Sequence, residues 1–171
     1  MKAAPVTIGR VNLRRLFIFC VGEIFENSKK SFHFFMRGRM LVAGRTAIVT
    51  GAARGIGRAI AEKLAFEGGA NVAMVDVEEI SLSEESSTAM KSYTCDVRSV
   101  DKISKLLDKI SEDHEGVQPS VLINCAGITR DAFLWKMSEE NYDDVMNVNM
   151  KAPFFLTQQQ TLLSTIVLFF D

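Results

Sequence analysis

The sequence predicts an α/β fold: a doubly wound parallel sheet, of which about four strands are present. Two observations carry this. From residue 40 onward, short β-branched runs alternate with helical periodicities, the signature of strand-helix-strand crossovers in a parallel sheet. The first of those runs breaks directly into glycines and then opens a helix.

That first run is Thr46-Ala-Ile-Val-Thr50, followed by Gly51, Gly55 and Gly57. A helical pattern with Ile56, Ile60 and Leu64 on one face comes next. A strand that turns through glycines into a helix aims free backbone N–H groups and a positive dipole end at one spot. Such a spot binds an anion, most often the pyrophosphate of a dinucleotide. A glycine-rich structural corner is the plainer reading of three glycines alone. The strand before and the helix after are the context that a nucleotide site demands. The spacing is Thr50-Gly51-x-x-x-Gly55-Ile56-Gly57, not Gly-x-Gly-x-x-Gly.

At 171 residues and 47% hydrophobic composition, the chain suits one domain, and no apolar run is long enough to span a membrane. Charge is unevenly placed. Residues 1–40 hold eight Lys/Arg against Glu23 and Glu26, while the remainder holds twelve against nineteen acids. A basic head on an acidic body suggests a targeting segment or a foreign extension, not a nucleic-acid surface. Lys2, Arg10, Arg14 and Arg15 precede any acid, and Leu16 to Val21 is apolar, as in a mitochondrial presequence. The mitochondrial matrix is therefore the expected compartment, with the cytoplasm as alternative if residues 1–39 are functionless upstream sequence. Cys20, Cys95 and Cys125 show no metal or redox spacing, which points to free thiols and no metal site. His33 and His114 have no partner pattern.

After the first helix, Gly68-Gly69 signals a C-terminus, and Asn71 to Val75 forms a second strand. Asp76 ends it, nineteen residues after Gly57. A carboxylate there accepts hydrogen bonds from adenosine ribose hydroxyls and repels a 2′-phosphate. Arg54, inside the glycine loop, pulls the other way, since a guanidinium there meets that phosphate. With Val77 and no basic residue after Asp76, NAD is favoured over NADP. Ser92 to Cys95 gives a third strand running into Asp96-Val97. Ser99 is placed to cap a helix with Val100, Ile103, Leu107 and Ile110 on its face. Val121 to Ile123 is the fourth strand, leading into Asn124-Cys125-Ala126-Gly127, whose small residues admit a cofactor close to the backbone. Ser138 caps the last long helix, with Glu139 and Glu140 in its first turn and a kink expected at Pro153.

These motifs together resemble the short-chain dehydrogenase/reductase family, over residues 41 to about 160. The resemblance implies a Rossmann-like sheet and assigns Gly51, Arg54, Gly55, Ile56 and Gly57 to the cofactor loop. It adds Asp96-Val97, whose carboxylate meets the adenine amino group in the family. It also adds Asn124, Ala126 and Gly127, although Cys125 stands where the family usually has a second Asn. Asn147-Val148-Asn149 is similar to the segment whose second Asn holds a proton-relay water, which makes Asn149 the catalytic candidate. The stretch from Cys125 to Glu140 is similar to 3-oxoacyl-(acyl-carrier-protein) reductases and a related hydroxysteroid dehydrogenase. The implied partner is a small molecule, an acyl thioester or a steroid, and the family forms homo- or hetero-oligomers.

The family's Tyr-x-x-x-Lys is missing, because the only tyrosines, Tyr93 and Tyr142, are followed four residues later by Val97 and Met146. Ser164 precedes an apolar run and is a weak stand-in for the family's serine. The expectation is a dehydrogenase by descent, truncated after its cofactor half and inactive alone. The alternative is a non-catalytic nucleotide-binding or interaction subunit. Residues 161–171 diverge from the family and are apolar. Their β propensity fits them either for association or for adding a fifth strand.

Overall fold

The structure, a computed structural model, describes residues 42–84, 86–161 and 166–169. Segment 1–39, with Cys20 and His33, and Ser164 lie outside the described residues.

Five parallel strands form one sheet in the order β3-β2-β1-β4-β5. They are β1 (Thr46–Thr50), β2 (Asn71–Asp76), β3 (Met90–Thr94), β4 (Val121–Asn124) and β5 (Ile166–Phe169). The four expected strands are present, with the third starting two residues earlier than expected. Part of the apolar tail supplies the fifth, pairing Val121 with Ile166 and Asn124 with Phe169. β4 is thereby flanked on both sides and does not present an open ladder.

Helices cover both faces of the sheet. Side chains alternate along β1: Ala47 and Val49 point to one core, Ile48 to the other. The first core packs Val72, Met74, Val121 and Ile123 under α1 (Gly55–Phe66). The second packs Val75, Tyr93 and Leu122 under α2 (Val100–Asp113) and α4 (Ala152–Thr161). Because both faces are covered, β1 is buried at every position and reads as an unbroken apolar run. No helix of the described residues is long and apolar enough to cross a membrane.

The helix faces differ from the expectation in an instructive way. α1 buries Gly57, Ala61 and Ala65, while Ile56 is 65% exposed and Ile60 and Leu64 are only partly covered. Small residues one turn apart let this helix lie closer to the sheet than an isoleucine face would allow. On α2 the buried positions are Ile103, Leu106 and Ile110, with Leu107 at the margin. Ser99 is its N-cap residue by position, but its side chain makes no capping bond.

The last helix is not one helix kinked at Pro153. α3 (Glu139–Met146) is capped by Ser138, whose hydroxyl accepts from the Asn141 N–H at 3.2 Å. A π-helical turn, Asn147–Lys151, follows, and α4 begins at Ala152. The irregularity lies before the proline because Pro153 has no N–H for the Asn149 carbonyl, four residues back. The widened turn takes up that defect.

Gly57 shows how little room the α1 corner has. A Cβ there would lie 2.2 Å from the Gly51 carbonyl oxygen, a backbone atom that cannot swing away. Gly57→Ala is expected to lower unfolding free energy by about 3 kcal/mol, read by denaturant titration. A loss below about 0.5 kcal/mol would show that α1 is free to shift outward.

Candidate functional site

In a parallel sheet the carboxyl ends of all strands open on one side. The order β3-β2-β1-β4 reverses direction between β1 and β4, and a crevice forms where connections leave to opposite faces. Here the crevice is a cleft of about 670 Å³. It is lined by Gly51, Arg54, Gly55, Ile56, Gly57 and Asp76 from the first half of the chain. Asp96, Val97, Asn124, Ala126, Gly127 and Asn149 line it from the second. Every candidate position from the sequence thus meets in one place, although the positions span residues 51 to 149.

Two contacts join the β1 corner to the β4 loop. Gly51 has φ +66, and a Cβ on it would lie 2.8 Å from the Ala126 backbone. The Thr50 hydroxyl accepts from the Cys125 and Ala126 N–H groups, each at 3.1 Å, and donates to the Ile123 carbonyl at 3.4 Å. One buried hydroxyl therefore closes three backbone groups of the loop.

At the cleft floor, Arg54 is the extended N-cap residue of α1, and no side chain caps the helix. The first N–H groups of a helix have no partner within it, so those of Gly55, Ile56 and Gly57 are donors at its positive end. Gly55 has φ +60, and a Cβ there would meet nothing within 4 Å, so the corner is open on its outer side. An anion with several oxygens matches this donor set.

Asp76 is held from two sides. Its Oδ2 accepts from the Ala53 N–H at 2.9 Å and its Oδ1 from the Glu78 N–H at 3.1 Å. Arg54, expected to be available for a 2′-phosphate, is instead paired: its Nη1 donates to both Glu78 oxygens, at 2.7 and 2.8 Å. Glu78 was invisible to sequence reasoning because its partner lies twenty-four residues away.

On the β3 side, Asp96 receives Arg98. The guanidinium reaches Oδ2 at 2.9 Å, and the backbone N–H of Arg98 reaches Oδ1 at 3.0 Å. These bonds hold the Asp96 carboxyl below its ordinary range, so it is ionised at neutral pH. The associated stability is present above the ordinary aspartate range and fades as pH falls through the lowered value. Arg98 also contacts Asp144 at 3.5 Å, and Asp144 contacts Arg130 at 3.5 Å, linking the loops after β3 and β4 through α3.

The Asn149 side chain is tied to the Ile128 backbone. Its Oδ1 accepts from the Ile128 N–H and its Nδ2 donates to the Ile128 carbonyl, both at 3.0 Å. Asn124 is 4% exposed, and neither atom of its amide has a partner among the described residues. Burial raises the Cys125 and Cys95 thiols above their usual range, which suppresses thiolate chemistry at neutral pH.

The Thr50 hydroxyl gives the sharpest test of this arrangement. Thr50→Val keeps shape but leaves the Cys125 and Ala126 N–H groups without an acceptor. A loss of about 2–3 kcal/mol in unfolding free energy is expected, measured by chemical denaturation. An unchanged midpoint would mean that the β4 loop is held by other contacts.

Residues 45–164 match the family model described as short chain dehydrogenase. The chain is 37% identical over 134 residues to a (3R)-3-hydroxyacyl-CoA dehydrogenase of Canis lupus familiaris, covering 70% of this chain and 51% of that protein. It is 37% identical over 125 residues to a 3-oxoacyl-(acyl-carrier-protein) reductase of Thermotoga maritima, covering 70% and 50%. The chain spans about half the length of these relatives. A ligand-free aldohexose dehydrogenase from Thermoplasma acidophilum superposes with TM-score 0.63 at 27% identity, over 71% of this chain and 45% of that one. A short chain dehydrogenase from Leptospira borgpetersenii with bound NAD+ shares the fold, with TM-score 0.67 at 24% identity, over 76% and 52%. With the glycine corner, the switch-point cleft and these matches in agreement, the chain belongs to the short-chain dehydrogenase family.

Proposed function

We propose that this chain is the dinucleotide-binding part of an NAD-dependent oxidoreductase acting on a 3-oxoacyl or 3-hydroxyacyl thioester. The observation that carries the reading is the uncapped start of α1, with Gly55 open to the cleft and Asp76 beside it. A pyrophosphate fits the N–H groups of Gly55, Ile56 and Gly57, and a ribose diol fits the Asp76 carboxylate. Asp96-Val97 and Asn124, with Ala126 and Gly127, line the walls for the adenosine and the second ribose. When bound, the nicotinamide supplies or accepts the hydride.

The names of the relatives favour a thioester over a steroid. Asn149 serves as a positioning residue: its side chain fixes Ile128, and its carbonyl, denied a donor by Pro153, is suited to hold a water. Basic residues ahead of the first acid support a mitochondrial matrix location. Oligomerisation with like or related subunits belongs to the same reading.

The sequence holds no Tyr-x-x-x-Lys, so these 171 residues alone lack the general acid expected of the family. The same observation supports a second reading, a nucleotide-binding subunit without chemistry of its own. The two differ in whether adding a Tyr-x-x-x-Lys-bearing partner or continuation restores turnover.

Two outcomes are expected. Titration of the chain with NADH, followed by nicotinamide fluorescence, should saturate, and Asp76→Ala should weaken NADH at least several-fold and relax selection against NADPH. No saturation at millimolar NADH would overturn the reading. Acetoacetyl thioester reduction by the chain alone should be undetectable, since general acid catalysis is worth about 10²–10⁴-fold. NADH-dependent turnover would contradict that.

A further inference from the structure

We infer that Glu78 is a determinant of nucleotide selectivity, acting by occupying Arg54. The inference rests on the dinucleotide reading above and adds a residue and a mechanism to it. Among the described residues Arg54 is the only basic one lining the cleft, and it stands at the glycine corner. A guanidinium there is the natural partner of a 2′-phosphate on an adenosine ribose. In this structure both oxygens of Glu78 accept from its Nη1, at 2.7 and 2.8 Å.

Glu78 is itself placed by backbone geometry. Its N–H donates to Asp76 Oδ1 at 3.1 Å, while Asp76 Oδ2 takes the Ala53 N–H at 2.9 Å, one residue before Arg54. The three side chains therefore form one unit, with Asp76 tying together the two short segments that carry Arg54 and Glu78. A 2′-phosphate approaching this unit meets two carboxylates and a cation already engaged. To use Arg54 it must displace Glu78 and leave that carboxylate unpaired beside it. A ribose diol needs only the Asp76 oxygens and leaves the pair intact.

The pair lies in solvent, with side-chain exposures of 80% for Arg54 and 51% for Glu78. Such a pair contributes little to folding. Its consequence is selectivity, where the charge count beside the phosphate changes.

Glu78→Gln removes one negative charge and frees the guanidinium. NADPH and NADH affinities would be measured by fluorescence titration on the full chain, for wild type, Glu78→Gln, Arg54→Gln and the double variant. The expected result is a wild type that binds NADH more tightly. In Glu78→Gln the NADPH-to-NADH affinity ratio should rise about tenfold. The double variant should lose that gain, which a general change in structure or charge would not reproduce. An unchanged ratio in Glu78→Gln, or a gain that survives loss of Arg54, overturns the inference while leaving the nucleotide site in place. A wild type that prefers NADPH overturns it equally. Failure of the wild type to bind either nucleotide removes the underlying reading as well.

Discussion

The whole cleft depends on backbone touching backbone between the end of β1 and the loop after β4. Gly51 lies against Ala126, Gly57 against Gly51, and the Thr50 hydroxyl takes the N–H groups of Cys125 and Ala126. Nothing larger than glycine fits at the first two contacts, and nothing without an acceptor serves at the third. The approach brings the start of α1 and the wall formed by residues 124–127 to opposite sides of one crevice. The buried small face of α1, at Gly57, Ala61 and Ala65, is the same requirement carried along the helix.

On that frame the electrostatics divide by distance along the cleft. The uncapped helix start offers unpaired donors at one point, while carboxylates stand further out at Asp76, Glu78 and Asp96. A ligand with a central anion and hydroxyl-bearing ends satisfies both. The carboxylates are not loose charges, since each takes backbone N–H groups or an arginine. Asp76 is fixed by Ala53 and Glu78, and Asp96 by Arg98. Such anchoring reduces the reorganisation needed when a ligand arrives.

Much of this was legible in the residues. The strand-glycine-helix corner, Asp76 and the β4 loop announce themselves because each is a local pattern with a local physical cause. What was not legible depends on pairs far apart in sequence. Arg54 reads as a phosphate ligand until Glu78 is seen beside it. Asn149 reads as the holder of a water, and its amide bonds to the N–H and carbonyl of Ile128, twenty-one residues away, show up only in the structure. Of the α1 face read as Ile56, Ile60 and Leu64, the last two do pack against the core, but the fully buried positions are glycine and alanine because closeness to the sheet selects them. The π turn at Asn147–Lys151 has no local sequence signal beyond Pro153, which acts two to six residues before itself. The fifth strand was one of two options for an apolar tail, and pairing with β4 decides between them in the structure.

The most direct measurement is a backbone amide NMR map of the isotope-labelled chain titrated with NADH. The account predicts that the Gly55, Ile56 and Gly57 amides shift first and furthest. Residues 124–127 should follow, while the α2 amides stay still. Shifts confined to residues remote from the α1 start, or none at the Gly55–Gly57 amides at saturation, would contradict it.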